Sequence, residues 1–265
     1  MIRGIVMQTI KILCLGDIVG PQATEHLSMH LWSYRKANGI SFVVANGENA
    51  DEGNGISMPT AEKLLSRGVD VITSGNHIWK KNSVYSFLDD SSYIIRPVNY
   101  PGACPGKGYT IVDADGRRAL VINVMGTAFM EALACPFESV ERVLDKCRGE
   151  YDISILDIHA EATSEKLAIA HYFDGRINII FGTHTHVPTA DAKVLPKGSG
   201  YITDLGMCGV QDGILGVEPD IIINKMKTKM PARFTLKAGK PVACGAVYEF
   251  DTVGGKVLSV DRVEF

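Results

Sequence analysis

A chain of 265 residues that is 46% hydrophobic and 22% charged has the composition of an ordinary globular protein, with ample apolar material for a sizeable core. Its formal net charge of -3 and isoelectric point near 6.2 exclude the overall basic footprint that holds long polyanions, so no stable nucleic-acid binding is expected, while small anions drawn to a local positive site remain open. No run approaches the ~20 apolar residues of a membrane helix, and the six cysteines, widely spaced with no CxxC pair, read as reduced thiols of a cytoplasmic protein.

Residues 1–15 are somewhat apolar and carry Arg3 and Lys11, but the run leads into Gly16-Asp17 with no small-residue cleavage site, and Leu13 stands where lipoprotein-type cleavage at Cys14 would want a small residue. A short N-terminal extension, about residues 1–8, is expected ahead of one domain spanning 1–265. Residues 10–15 then read as a strand, and residues 24–38 as a helix with Leu27, Leu31 and Tyr34 in its stripe and Gly39 at its end. A second strand, 42–45, precedes a glycine-rich loop over 51–55 and a helix over 57–67 with Pro59 in its first turn. A third strand covers 69–73, and 96–108 is loop, holding three prolines and three glycines. Residues 109–112 and 119–124 read as a hairpin, 140–147 as a helix, 153–158 as a strand, and the stretch around Leu167 to Tyr172 as a helix. A further strand covers 177–181, and residues 232–265 are β-rich with turns at Gly239 and Gly254-Gly255. The strand runs are short, unbroken and β-branched, as strands buried on both faces are, and alternation with helices argues for an α/β mixed-sheet sandwich with helices outside.

Five of these strands lead into polar signatures: Asp17, Glu48-Asn49, Asn76-His77, His159, and His184 with His186. Ligands in open α/β sheets collect beyond the carboxyl ends of the strands, so these side chains are expected to meet in one crevice. Oxygen and imidazole donors without cysteine suit manganese, iron or zinc better than a thiolate site would. Glu48 could bridge two metal ions ~3.5–4 Å apart, and two divalent ions set against Asp17, Glu48 and a bridging hydroxide leave about +1, which suits a phosphodiester monoanion.

Taken singly, most of these signatures have a bland alternative; Glu48-Asn49 is less easily dismissed, because Asn46, Glu48 and Asn49 crowd the end of the apolar run over 42–45. His184 and His186, in Gly182-Thr183-His184-Thr185-His186, could be exposed loop histidines; as positions i and i+2 of an extended segment they would face one metal pair together. Asn76-His77 could be a helix cap beside a surface histidine, and Asp17 a helix N-cap. His159 could be a satisfied core histidine, although Asp157 shares its strand face and could orient it. Their joint placement after apolar strands favours ligands, with His77 able to protonate a leaving alkoxide. His26, His30 and His171 lack such company, and Arg96 and Lys107 read as solvated loop charges.

The order Gly16-Asp17, Gly47-Glu48-Asn49, Gly75-Asn76-His77, His159, Gly182-Thr183-His184-Thr185-His186 resembles the calcineurin-like metallophosphoesterase superfamily, and more closely its YmdB-like branch. The motifs of that branch extend over nearly the whole chain, through His159-Ala160-Glu161-Ala162-Thr163-Ser164-Glu165-Lys166 and Asp212-Gly213-Ile214-Leu215-Gly216. Most superfamily members have histidine where this chain has Val19 and aspartate where it has Glu48; the YmdB-like branch shares both changes, with Asn49 supplying a ligand. The resemblance implies one metal held by Asp17, Glu48, Asn49 and His186 and a second by Glu48, Asn76, His159 and His184, with His77 as proton donor. It further implies a four-layer α/β/β/α sandwich, iron or manganese as the metals, homo-oligomers (dimer or tetramer), and phosphodiesterase activity on 2′,3′-cyclic nucleotides, with 3′,5′-cyclic nucleotides as a second class. A phosphomonoesterase or nuclease using the same metals, or a regulatory phospho-ligand binder with little turnover, remain the alternatives.

Overall fold

The computed structural model describes residues 8–265, so the expected extension over 1–8 lies almost wholly outside the described residues. The first half runs β1 (Thr9–Leu15), β2 (Asp17–Ile18), α1 (Gly20–Asn38), β3 (Ile40–Asn46), α2 (Met58–Ser66), β4 (Val71–Thr73), α3 (Tyr85–Asp90), β5 (Tyr109–Asp113) and β6 (Arg118–Met125). There follow α4 (Pro136–Lys146), β7 (Ile153–His159), α5 (Thr163–Phe173), β8 (Ile179–Thr183), β9 (Lys193–Val194), β10 (Gly200–Ile202), β11 (Met207–Cys208), α6 (Pro219–Thr228), β12 (Cys244–Asp251) and β13 (Lys256–Glu264).

Two mixed sheets result. The first has the order β13-β12-β1-β3-β4, parallel from β1 to β4 and antiparallel through the β12–β13 hairpin. The second has the order β5-β6-β7-β8-β10-β9, parallel from β6 to β10 with antiparallel edges. Side chains alternate across a strand, and that alternation sorts the apolar residues into three cores. Ile12, Cys14, Phe42 and Val44 point between the sheets at Val121, Ile155, Ile179 and Phe181. Leu13, Leu15, Val43 and Ala45 point the other way, onto Ala23, Leu27 and Leu31 of α1 and Leu64 of α2. On the far side, Leu120, Ile122, Leu156 and Ile158 meet Val140 and Val143 of α4 and Ile169 and Phe173 of α5. The layers are therefore α/β/β/α, as expected. Truncating a side chain buried as completely as Leu27, 0% exposed, costs about 2–5 kcal/mol.

Local expectations hold where the signals are strong. Gly39 ends α1 at φ 66°, its N–H donating to Arg35 O. The β5–β6 hairpin closes through Asp115 and Gly116, both at positive φ (59° and 77°), the arrangement that a two-residue turn matched to strand twist requires. Elsewhere the structure corrects the reading. β4 begins at Val71 rather than residue 69, because the Val69 N–H still bonds to Leu64 O at the end of α2. Residues 232–243 form only isolated bridges, so the C-terminal β structure is confined to β12 and β13. Helix α6 was not anticipated: Ile221-Ile222-Ile223 has the look of a strand, yet Pro219 starts a helix that buries only Ile222. Among the described residues no helix is long and apolar enough to cross a membrane.

Candidate metal centre

The carboxyl ends of β1, β3 and β4 meet those of β7 and β8 at one rim of the sandwich, and all eight singled-out residues arrive there. Glu48 lies at the middle, fully buried. Its Oε1 is 3.3 Å from His159 Nε2 and 3.2 Å from His77 Nδ1, and its Oε2 accepts the His77 backbone N–H at 2.9 Å. Around His159 Nε2 also stand Asn76 Oδ1 at 3.1 Å and His184 Nδ1 at 3.1 Å. On the other side of Glu48, Asp17 Oδ1 is 3.6 Å from His186 Nε2, and Asn49 Nδ2 is 3.0 Å from Glu48 Oε1 and 3.5 Å from His186 Nε2. Gly75 is the packing condition for this crowding, since a Cβ there would run into the His159 ring and lie 2.5 Å from Glu48 Oε2.

His184 and His186 reach the site, but by a geometry different from the expected one. β8 stops at Thr183, and the two histidines take left-handed backbones, φ 92° and 63°, which L residues other than glycine seldom adopt. What holds them is a buried ion pair that the sequence reading assigned no role. Lys166, 1% exposed, donates to Asp204 Oδ2 at 2.8 Å, and the same oxygen accepts the Thr185 N–H at 3.2 Å and its hydroxyl at 2.5 Å. The signal was present: Lys166, Ile169, Ala170 and Phe173 are one buried helical stripe, and a lysine in such a stripe needs a partner.

A chain of polar contacts fixes the proton on His159. The Thr183 hydroxyl donates to Asp157 Oδ1 at 2.7 Å, so its oxygen must accept from His159 Nδ1 at 2.9 Å. That leaves Nε2 facing Glu48, Asn76 and His184, and it offers them a lone pair only once the ring's second proton is lost. Asp157, also bonded by Thr73 and Asn46, thus orients His159 through Thr183 rather than directly. Asn46 and Thr183 stand within the signatures noted in the sequence, but neither was assigned an orienting role there. Glu161 does the same for His184, its Oε2 lying 3.1 Å from His184 Nε2 and turning Nδ1 inward.

The electrostatics are those of charges forced together. Burial alone would raise the Glu48 carboxyl, but His159 and then His77 hold it well below its ordinary value. Asp17 is likewise held low, burial being outweighed by His186 and His159. For His159 burial opposes the charged form, yet Glu48 and Asp17 push it up to about 9; His186 is raised by Asp17 against burial. His184 is pushed down to about 4 by burial and the neighbouring His159 charge, and burial pushes Asp157 up to about 6.

Asp17 Oδ1 and His186 Nδ1 are buried without a hydrogen-bond partner among the described residues, and Glu48, His159 and His184 offer donor atoms within 4.8 Å of one another. Buried oxygen and nitrogen lone pairs that converge without enough protons between them fit a metal cation. The histidines outside the site are structural or superficial: His26 Nε2 lies 3.0 Å from Phe265 O, and His171 is exposed. Arg96 is not a solvated charge, being 5% exposed, with its guanidinium donating to the carbonyls of Pro97, Cys104 and Pro105.

The likeness to known proteins spans the same residues. The model of the YmdB-like protein family matches residues 13–263. The 2′,3′-cyclic-nucleotide 2′-phosphodiesterase of Bacillus subtilis (strain 168) is 40% identical over 253 residues, 96% of each chain. A crystal structure of a phosphatase from Mycoplasma pneumoniae superposes with a TM-score of 0.92 at 31% identity, covering 98% of this chain and 94% of its own. A protein from Thermus thermophilus gives 0.90 at 37% identity, over 97% and 99%. With fold, metal-fitting cluster and sequence likeness all running the length of the chain, the protein belongs to the YmdB-like family and is a phosphoester hydrolase.

Proposed function

We propose that the protein is a dinuclear metal phosphodiesterase acting on 2′,3′-cyclic nucleotides, with 3′,5′-cyclic nucleotides as a second class. The observation that carries this reading is the pair of donor sets sharing Glu48. Asp17, Glu48, Asn49 and His186 would hold one ion, and Glu48, Asn76, His159 and His184 the other, with iron or manganese matching the mixed oxygen and imidazole donors. Such a pair supplies water activation near neutral pH and neutralises charge on the phosphoryl oxygens. The 2′,3′-cyclic substrate class is that named for the Bacillus relative.

The chain's own residues account for the proton. His77 Nδ1 is 2.7 Å from Asn49 Oδ1, and its side chain is 25% exposed, so Nε2 is the ring nitrogen left for a substrate oxygen. With Asn49 Oδ1 accepting from Nδ1–H, a ring protonated on both nitrogens can give up its Nε2 proton and remain a neutral imidazole. In the net step one water is consumed: its oxygen forms the new P–O bond, the P–O2′ bond breaks, the departing 2′-oxygen takes the Nε2 proton, and the proton lost from the water restores the His77 ring through solvent.

The test is His77→Ala against two substrates. Turnover of 2′,3′-cyclic AMP should fall about 100-fold or more, while an activated aryl phosphodiester, whose leaving group needs no proton, should lose far less, with metal content intact. Equal losses on both would refute the acid role. Because the Mycoplasma relative is named a phosphatase, a phosphomonoester belongs in the same panel; faster turnover of it than of the cyclic diester would favour that second reading. We further propose a cytoplasmic homo-oligomer, dimer or tetramer, which sedimentation would test.

A further inference from the structure

Net charge hides one feature of this chain. Residues 225–240 contain six of its 27 lysines and arginines, Lys225, Lys227, Lys229, Arg233, Lys237 and Lys240, and none of its 30 acidic residues. Among the described residues only Lys237 of these six has a carboxylate partner, Glu218 at 3.1 Å. Large apolar side chains stand exposed between the charges: Met226, Met230 and Phe234, the last 47% exposed with Lys225 Nζ 4.5 Å above its ring.

The segment lies against the loops that carry the candidate ligands. Its backbone bonds to the 216–218 loop through Lys237 N to Gly216 O and Glu218 N to Thr235 O. A Cβ on Gly20 would collide with Leu236, and the Gly20 N–H donates to Asn49 O. Arg233 and Phe234 face Glu52, Asn54 and Lys81 across a cleft of about 520 Å³. Its lining takes Glu52 and Asn54 from the loop leaving Glu48-Asn49 and Lys81 from the segment leaving His77, two segments in contact with each other, for Lys81 Nζ donates to Glu52 O and a Cβ on Gly55 would touch the His77 carbonyl. Glu52 is the one acidic side chain in its lining, against Lys81 and Arg233. The volume lies in the range of small-ligand sites, while a mononucleotide's phosphate would already be engaged at the metal centre.

We infer that the 225–240 segment and this cleft hold the single-stranded end of an RNA whose terminal 2′,3′-cyclic phosphate enters the metal centre; the inference rests on the phosphodiesterase reading above. Cations that follow a phosphate backbone, interleaved with an aromatic platform, are how single strands are held without regard to sequence. Such termini form when an RNA 2′-hydroxyl attacks its own neighbouring phosphodiester, so an RNA-cleaving transesterification would supply the substrate. The footprint is local and short, which is compatible with the acidic balance of the whole chain.

The metal-loaded full chain should hydrolyse a hexanucleotide ending in a 2′,3′-cyclic phosphate with kcat/KM about 10-fold or more above that for 2′,3′-cyclic AMP at low salt. That ratio should drop towards one in R233A/F234A, and fall steeply as salt rises. A ratio near one in the unsubstituted protein, or one unchanged in the variant, overturns the inference. Should neither substrate be hydrolysed, the phosphodiesterase reading fails, and the segment is then judged by fluorescence anisotropy with a labelled hexanucleotide bearing a 3′-phosphate. Binding that is at least 10-fold weaker in R233A/F234A sustains the subsite; equal binding, or equal competition by polyglutamate of the same charge, overturns it.

Discussion

Asp204→Asn probes the ion pair beneath the His184-Thr185-His186 loop. Asp204 is 0% and Lys166 1% exposed, and the ammonium's other polar contact is the Thr185 hydroxyl at 3.4 Å. Replacing the carboxylate by an amide strands a buried cation, which costs about 3–5 kcal/mol. At roughly 2–3 °C per kcal/mol for a chain of this size, Tm should fall by about 6–15 °C. Burial pushes the Asp204 carboxyl up despite Lys166, so desolvation is only partly offset, and K166M/D204N should recover at least ~2 kcal/mol relative to D204N. Differential scanning calorimetry of the unsubstituted protein, K166M, D204N and K166M/D204N, with D204N metal affinity measured well below its Tm, closes the cycle. Because the pair also restrains two left-handed histidines, metal affinity should drop in D204N as well. A Tm shift under ~2 °C, or a double variant less stable than D204N, would refute the reasoning.

Three further outcomes follow from the same geometry. Thr183→Val removes the hydroxyl that links Asp157 to His159, and should weaken metal binding about 10- to 100-fold in equilibrium dialysis, while Thr185→Ser, which keeps its hydroxyl, should change it little. His159, pushed up to about 9, carries a proton at pH 7.5 before metal binds and must be neutral as a ligand. Calorimetry in buffers of different ionisation enthalpy should therefore show at least one proton released per chain at pH 7.5, with the His159 share vanishing as pH rises past about 9; no release at 7.5 would contradict it. Chelation should abolish hydrolysis and lower Tm, since bound ions stabilise the folded chain by about 2.7 kcal/mol at a hundredfold excess over Kd; an unchanged Tm would count against a metal site at these residues.

Much of the fold is legible in the sequence because β3, β7, β8 and the Ile12–Leu15 part of β1 are buried on both faces and so read as largely apolar runs. The polar residues that end those runs could be collected by the rule that ligands gather beyond strand carboxyl ends. The path of the loops could not be read: His184 and His186 converge through positive φ rather than strand alternation, and the restraint comes from Asp204, 38 residues after Lys166. The orienting roles of Thr183 and Asn46 could not be read, because an orienting hydrogen bond leaves no local pattern in one chain. α6 was hidden by β-branched residues, whose strand preference yields to a Pro219 start and a single buried position. The basic 225–240 segment was visible as letters but cancelled in the net charge.

The most direct test of the two-ion phosphodiesterase is a metal titration of the purified, chelator-stripped chain with manganese or anaerobic iron(II), following 2′,3′-cyclic AMP by ³¹P NMR. Activity should climb to a plateau at about two ions per chain as the cyclic diester signal gives way to a single phosphomonoester. In Glu48→Gln, which weakens the carboxylate shared by both sites, that plateau should not be reached. Full activity at one ion per chain, or no phosphomonoester at any loading, would contradict the account.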